Sequence, residues 1–111
     1  MVTADAFRRA ALALPGTIEA PHFDRAAFKV ARIYATLAAD GQSANLMLTP
    51  DEQQLKCLTA PEAFKPVPNA WGRTGATTVT LAKISVPDLK RALQTAWQRA
   101  LPKPKRRAKK I

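Results

Sequence analysis

The sequence predicts an α+β domain in which helices pack against an antiparallel β-sheet. Residues 3–14 and 86–100 repeat apolar side chains at the helical period, whereas residues 18–49 form short segments with a period near two. Between residues 49 and 84 the pattern indicates a further helix, an extended segment and a strand. The order helix, several strands, helix, extended segment, strand and helix is typical of the α+β class.

The first helix is expected to begin at Thr3, whose hydroxyl can accept a hydrogen bond from the free amides of the first turn. Val2 is then placed to pack against Phe7 as a hydrophobic staple. Proline disfavours the helical conformation of the residue before it and glycine permits a left-handed turn. Pro15 and Gly16 therefore end this helix.

The sheet segments are expected over residues 18–49, separated by turns such as Asp24-Arg25 and Asp40-Gly41. The Asp40-Gly41 connection is predicted to be a hairpin loop, because the segments before and after it each bury one face. Strict alternation in the segment before this loop places three apolar residues on one face: Ile33, Ala35 and Leu37.

Two later helices have clear start signals. Thr49-Pro50-Asp51-Glu52 combines a cap, a proline in the first turn and a glutamate that closes a capping box, so a helix should follow through Leu58 or Thr59. Pro66 and Pro68 cannot donate to a sheet ladder and suit an edge strand or an extended connection. Ser85 starts the last helix, whose apolar stripe should lie on the sheet. This stripe consists of Val86, Leu89, Leu93, Ala96, Trp97 and Ala100.

The charge is concentrated at the C-terminus. The chain of 111 residues has a net charge of +10, and six of its basic residues lie in residues 102–111, so residues 1–101 carry +4. We expect one domain over residues 1–101 and a disordered basic arm over residues 102–111, because the arm has almost no apolar side chains with which to offset its ordering entropy. Such arms bind polyanions through phosphates or keep a small domain soluble.

The composition also bears on the compartment. No apolar run approaches the roughly 20 residues that span a bilayer, and the N-terminal residues do not resemble a signal peptide. A lone cysteine, Cys57, agrees with a reducing environment. We therefore expect a cytoplasmic protein without a membrane partner.

Most catalytic sites need combinations of residues that this sequence does not contain. One histidine and one cysteine cannot build a zinc site, and the carboxylates are few and scattered. Gly72-Arg-Thr-Gly75 lacks the length and the Lys-Ser/Thr ending of a P-loop and leads into a strand. We expect no enzyme, no cofactor and no metal.

Several single residues admit both a structural and a functional interpretation. Arg73, between two glycines, is either a solvated turn charge or a phosphate contact, with Arg32, Lys29 and Lys83 as further candidates. Trp71 either packs on the core, the favoured interpretation, or stands out as a stacking platform for a base.

Three more residues have a structural role as their default. His22 is more often a half-buried strand residue than an acid, base or ligand. Cys57 behaves as a small hydrophobe unless its pKa is lowered, and Trp97 belongs to the helical stripe.

An ordered set of segments covering about residues 7–103 resembles the MmcQ/YjbR family. These segments are Ala13-Leu-Pro-Gly16, Pro21-His-Phe-Asp-Arg25, Phe28-Lys-Val30, Ile33-Tyr-Ala-Thr-Leu37, Pro68-Asn-Ala-Trp-Gly-Arg73, Thr78-Val-Thr-Leu81, Ala96-Trp97 and Leu101-Pro-Lys103. The resemblance implies a small bacterial α+β protein with a double-wing DNA-binding, CyaY-like fold. It implies DNA binding and supplies no catalytic residues.

The chain departs from the family pattern at two places. Ala31-Arg32 replaces the usual glycines of the first wing turn and adds a charge at its tip, and Ala76 stands where many relatives have an aromatic residue. The shape relation to frataxins suggests iron binding, which needs a ridge of carboxylates. Here the few acids of that region lie beside Arg8, Arg9 and Arg25, so we expect no iron site.

Two functions follow from these observations. The first is a monomeric, non-enzymatic protein that binds DNA or RNA mostly through non-specific phosphate contacts. Its candidate residues are Arg32, Arg73, Lys83, Lys103, Lys105, Arg106, Arg107, Lys109 and Lys110. The alternative is a small-molecule or protein-partner module with a groove near Trp71, His22 and Arg73.

Overall fold

A computed structural model describes residues 2–102 of the chain and has the predicted α+β architecture, a six-stranded antiparallel sheet with helices. The elements are α1 (Ala4–Leu12), β1 (Ile18–His22), β2 (Arg25–Lys29), β3 (Ile33–Leu37), β4 (Ser43–Met47), α2 (Pro50–Thr59), β5 (Phe64–Pro66), α3 (Ala70–Arg73), β6 (Ala76–Thr80) and α4 (Val86–Ala100). A 3₁₀ turn, Leu81–Lys83, connects β6 to the start of α4.

The strands lie in the order β1-β2-β3-β4-β6-β5, and every neighbouring pair is antiparallel. Each edge strand contains a proline, Pro21 in β1 and Pro66 in β5. A proline cannot donate to a further ladder, so both edges are poor templates for pairing with another strand. The predicted edge position of the proline-rich segment is confirmed for β5.

One face of the sheet carries the core. Helix α4 packs on β3 and β4, and α1 packs on α4. Phe7 of α1 and Phe28 of β2 meet edge to face with ring centroids 5.6 Å apart, and both are fully buried. The stripe of α4 faces this core as predicted, except that Val86 at its start is 40% exposed. Val86 is the first residue of the helix.

The predicted helix starts are confirmed. Thr3 Oγ1 accepts from the backbone N–H of Ala6, and Thr49 and Glu52 form the reciprocal capping box of α2. Ser85 caps α4 in the same way as Thr3 caps α1. Val2 and Phe7 are both buried, as the staple requires. Each cap and the staple depend on residues close in sequence, so the sequence pattern is sufficient to predict them.

The prediction that side chains alternate strictly between the two faces is wrong for β3. The pairing of β2 with β3 shifts between Phe28 and Lys29, so Tyr34 is an extra residue in the ladder. Tyr34 is therefore buried on the helix side, where its hydroxyl donates to the carbonyl of Ala11 over 3.1 Å. The bulge separates Ile33 from Ala35 and Leu37, and Ile33 lies on the opposite face of the sheet.

Two further expectations are corrected. The first hairpin turns at Phe23-Asp24, and Arg25 already belongs to β2. The segment before β6 is the short helix α3 and not a simple glycine turn. Its glycines let the chain approach itself: a Cβ on Gly72 would lie 1.8 Å from the carbonyl oxygen of Val67, and one on Gly75 would lie 1.9 Å from that of Leu48. None of the helices in the described part of the chain has the length and apolar character of a membrane span.

Candidate functional site

The sheet face opposite the core forms a groove of about 610 Å³, which we call the open-face groove. Its floor consists of side chains from β3, β4 and β6: Ile33, Thr36, Asn45, Met47 and Ala76. The turn between β1 and β2 forms one wall, and α3 with the residue after it forms the other. The groove is therefore built on the rigid centre of the sheet with its two walls on short connections.

Trp71 lies on one wall and is 60% exposed, so the favoured expectation that it packs in the core is wrong. Asn69 caps α3, and its Oδ1 accepts from the backbone N–H of Trp71 over 2.9 Å. The side-chain amide of Gln53 donates to the carbonyls of Gly72 and Ala76, each over 2.9 Å. These bonds fix α3 on the sheet, and they hold the indole at the rim of the groove.

Phe23 lies on the other wall and is 91% exposed. Its backbone φ is +59°, a left-handed conformation that costs a residue with a side chain about 1–2 kcal/mol. The ring of Phe23 meets the ring of His22 edge to face, with centroids 4.8 Å apart. A large apolar side chain is thus held in solvent at a strained turn position, where glycine or asparagine would be usual.

Arg25 is the half-buried cation of the groove. Its Nε donates to Thr36 Oγ1 over 2.8 Å, and its Nη2 donates to the carbonyl oxygen of the same residue over 3.3 Å. Two bonds from one guanidinium to one residue fix its plane against β3. Arg25 was not predicted as a groove residue, because its neighbour across the ladder depends on the pairing of β2 with β3.

The strand positions of this face carry basic and no acidic side chains. Phe28 and Phe64 point into the core, so Lys29 and Lys65 beside them lie on the same face as Arg25. Glu19 lies on the core side, where its carboxylate accepts from Arg8 Nε over 2.9 Å and raises the pKa of that guanidinium. Asp24 is the acidic residue in the groove lining.

The predicted basic contacts divide between the two ends of the sheet. Strands β3 and β6 run in the same direction, so Arg32 before β3 and Arg73 before β6 lie at one end, with the strand starts about 10 Å apart. Arg32 Nη2 donates to the carbonyl of Arg99 over 2.8 Å, which places the C-terminal end of α4 there as well. Lys83 follows β6 and lies at the opposite end.

Several predicted site residues fall elsewhere. Lys103, Lys105, Arg106, Arg107, Lys109 and Lys110 lie outside the described residues. His22 is half-buried and lines the open-face groove with Trp71, whereas Arg73 is exposed outside the lining. The structure therefore joins two of the three residues of the predicted groove.

Cys57 and Trp97 have structural positions. Both pack against the core cluster at its margin, as predicted. Burial raises the pKa of the Cys57 thiol, which disfavours the reactive thiolate. Trp97 Nε1 donates to the carbonyl of Pro15 over 3.0 Å. Within residues 2–102, no three His, Cys, Asp or Glu side chains come close enough together to hold a metal ion.

Comparison with known proteins relates the chain to a sequence family and to a solved structure. The sequence model of the YjbR family matches residues 12–99. The crystal structure of Deinococcus radiodurans protein DR2400, with the family-model domain DUF419, superposes with a TM-score of 0.73 at 24% sequence identity. The match covers 86% of this chain and 76% of that one, and at this identity it establishes the fold alone. A search of curated protein sequences gives no significant match.

Proposed function

The chain belongs to the YjbR family, and we propose that it is a non-enzymatic nucleic-acid-binding protein that contacts phosphates through basic side chains. The observation that carries this proposal is the basic character of the strand positions on the open face. Arg25, Lys29 and Lys65 occupy strand positions of the open face, whereas Glu19 lies on the core side. A surface with an excess of positive charge attracts a polyanion and concentrates it before specific contacts form.

The end of the sheet that holds Arg32 and Arg73 supports the same proposal. Helix α4 ends beside Arg32, so the basic residues after position 102 continue the chain from this end. The exposed basic side chains of the fold and the basic residues that follow position 102 in the sequence can then contact one continuous stretch of phosphates. Lys83, at the opposite end, is not part of this surface.

A salt series tests the proposal. The logarithm of the binding constant falls against the logarithm of salt concentration by about 0.9 per phosphate neutralised on B-DNA, so the six basic residues of the arm contribute a slope of about −5. The affinity of the full chain and of a chain ending at Leu101 is measured for one duplex over a range of salt. Equal slopes remove the arm from the mechanism, and no binding to DNA or RNA at low salt refutes the function.

Single substitutions locate the surface on the fold. Arg73→Ala and Arg32→Ala should each reduce the slope by about 1. Lys83→Ala is the matched control, because it removes the same charge at the other end of the sheet, and it should leave the slope unchanged. A loss with Lys83→Ala equal to that with Arg73→Ala would contradict this placement.

The groove favours a second candidate function, a module for a small molecule or a protein partner. Its volume of about 610 Å³ lies in the roughly 300–1,000 Å³ range of small-ligand pockets, and Trp71 and His22 both line it. On this alternative Trp71→Ala abolishes capture of the ligand without unfolding the domain, and substitutions in the basic arm have no effect. A binding constant that is independent of salt, together with loss of binding in Trp71→Ala, would favour it over the first function.

A further inference from the structure

We propose that the open-face groove holds an unpaired nucleobase stacked on Trp71 and Phe23, so that the protein prefers single-stranded to duplex nucleic acid. This inference rests on the proposed function and specifies which form of nucleic acid the protein binds. It follows from the aromatic walls of the groove, from its polar floor and from the charge around it.

The aromatic walls are unusual because neither ring contributes much to the core. Trp71 is 60% exposed and Phe23 is 91% exposed, although both line the same groove. The left-handed φ of Phe23 strains the backbone and its exposed ring adds little to the core, so folding alone does not explain a phenylalanine at this position. Exposed rings beside basic residues are the stacking platforms on which proteins bind bases of single strands, since every base has a π-face.

The floor supplies polar groups for the edge of a base. Asn45 lies opposite Thr36 on one side and Thr78 on the other. Thr78 Oγ1 donates to Asn45 Oδ1 over 2.8 Å, which orients the amide of Asn45 on the open face. An oriented amide can both donate to and accept from the base edge, which is exposed in a single strand and hydrogen-bonded in a duplex.

The charge around the groove suits the backbone of a single strand. Arg25 is fixed beside the stacking rings, and Lys29 and Lys65 lie on either side of the groove on the same face. Phosphates can therefore follow the sheet while a base enters between the walls. In a duplex the same base would first have to leave the stack, which disfavours binding of that form.

Affinity measurements with the full chain test the inference. A ten-nucleotide oligothymidine and a ten-base-pair duplex are labelled with a fluorophore and titrated at one salt concentration. We expect tighter binding of the single strand by wild-type protein. Trp71→Ala should weaken single-strand binding by about 5- to 150-fold, the range that corresponds to ~1–3 kcal/mol per stacked base. Duplex binding, which depends on phosphates, should stay within twofold.

A control variant, a second groove variant and a fluorescence measurement distinguish loss of the groove from a general loss of apolar surface or of folding. Leu58 is 72% exposed on α2 and outside the groove lining, so Leu58→Ala should not alter single-strand affinity. Phe23→Gly removes the second ring at a position where glycine fits the backbone, so it should weaken single-strand binding without lowering the melting temperature. Fluorescence of a Trp97→Phe variant reports Trp71 alone and should be quenched by the oligothymidine.

The outcomes separate the inference from the function beneath it. The groove inference is overturned if wild type binds both forms in a salt-dependent way and Trp71→Ala binds each form as tightly as wild type does. The phosphate-binding function stands in that case. If neither form binds at low salt, the function itself fails. If thymidine monophosphate quenches Trp71 as strongly as the oligothymidine at equal concentration, the groove takes a free ligand instead of a strand, and the inference is overturned.

Discussion

Replacing Gly72 with alanine should destabilise the domain, although helix propensity alone predicts the opposite. An alanine in a helix interior is favoured over glycine by about 1 kcal/mol. In α3, however, the new Cβ would lie 1.8 Å from the carbonyl oxygen of Val67 and 2.9 Å from its carbonyl carbon. Because the contacting atoms belong to backbone, α3 and the segment before it must move apart by more than 1 Å.

The magnitude follows from two losses. Overpacking of this kind typically costs about 1–3 kcal/mol. Moving α3 also disturbs the hydrogen bond from Gln53 Nε2 to the carbonyl of Gly72, worth about 0.5–1.5 kcal/mol. We therefore expect the free energy of unfolding to fall by about 1.5–4.5 kcal/mol.

Urea denaturation measures this change as a shift of the midpoint at constant slope. Gly16→Ala is the matched control, since the nearest atom to its new Cβ is 3.7 Å away and only the left-handed φ of +78° opposes the side chain. That variant should lose about 1–2 kcal/mol. A Gly72→Ala protein as stable as wild type, or more stable, would refute the close approach of α3 to Val67.

Three further predictions concern the core and the caps. Tyr34→Phe removes the O–H that donates to the carbonyl of Ala11, which still accepts from the backbone N–H of Leu14, and should reduce the free energy of unfolding by about 0.5–1.5 kcal/mol, measured with urea. No change would contradict the bulge that buries this residue. Burial raises the pKa of Tyr34 in the folded state, so its contribution to stability is complete below about pH 10 and is lost as the pH rises through the folded value. Thermal melts above pH 10 should then show a smaller pH-dependent loss in Tyr34→Phe than in wild type, and identical profiles would argue against it. Thr49→Ala should cost about 1 kcal/mol through loss of the capping box, whereas Thr59→Ala at the exposed end of the same helix should be nearly neutral.

The sequence was most informative where structure depends on neighbouring residues. Thr3, Thr49 and Ser85 cap the helices that were predicted from them, because a cap and its amides lie within three residues. The bulge at Tyr34 could not be found in this way, since it depends on how β2 pairs with β3. The prediction that Ile33 shares a face with Ala35 and Leu37 was wrong for the same reason.

The groove was only partly predictable. His22 and Trp71 were proposed together, but the exposure of Trp71 depends on α3, whose position is set by Gln53 from a distant helix. Phe23 and Arg25 were missed as groove residues because a turn position and a cross-strand contact give no periodic signal. A bulky aromatic residue beside an aspartate in a hairpin turn was the one available hint.

The most direct test of nucleic-acid binding in the open-face groove uses the two indole N–H groups as reporters in one spectrum. The full chain, labelled with ¹⁵N, is titrated with the oligothymidine, and the indole signals are assigned from the Trp97→Phe variant. Trp71 lies on the open-face groove, whereas Trp97 donates to Pro15 on the side of the core. We expect the signals of the Trp71 indole and the Asn45 amide to shift on binding while the Trp97 indole signal stays in place. Shifts at Trp97 and along α1 and α4, with Trp71 and Asn45 unmoved, would contradict this expectation.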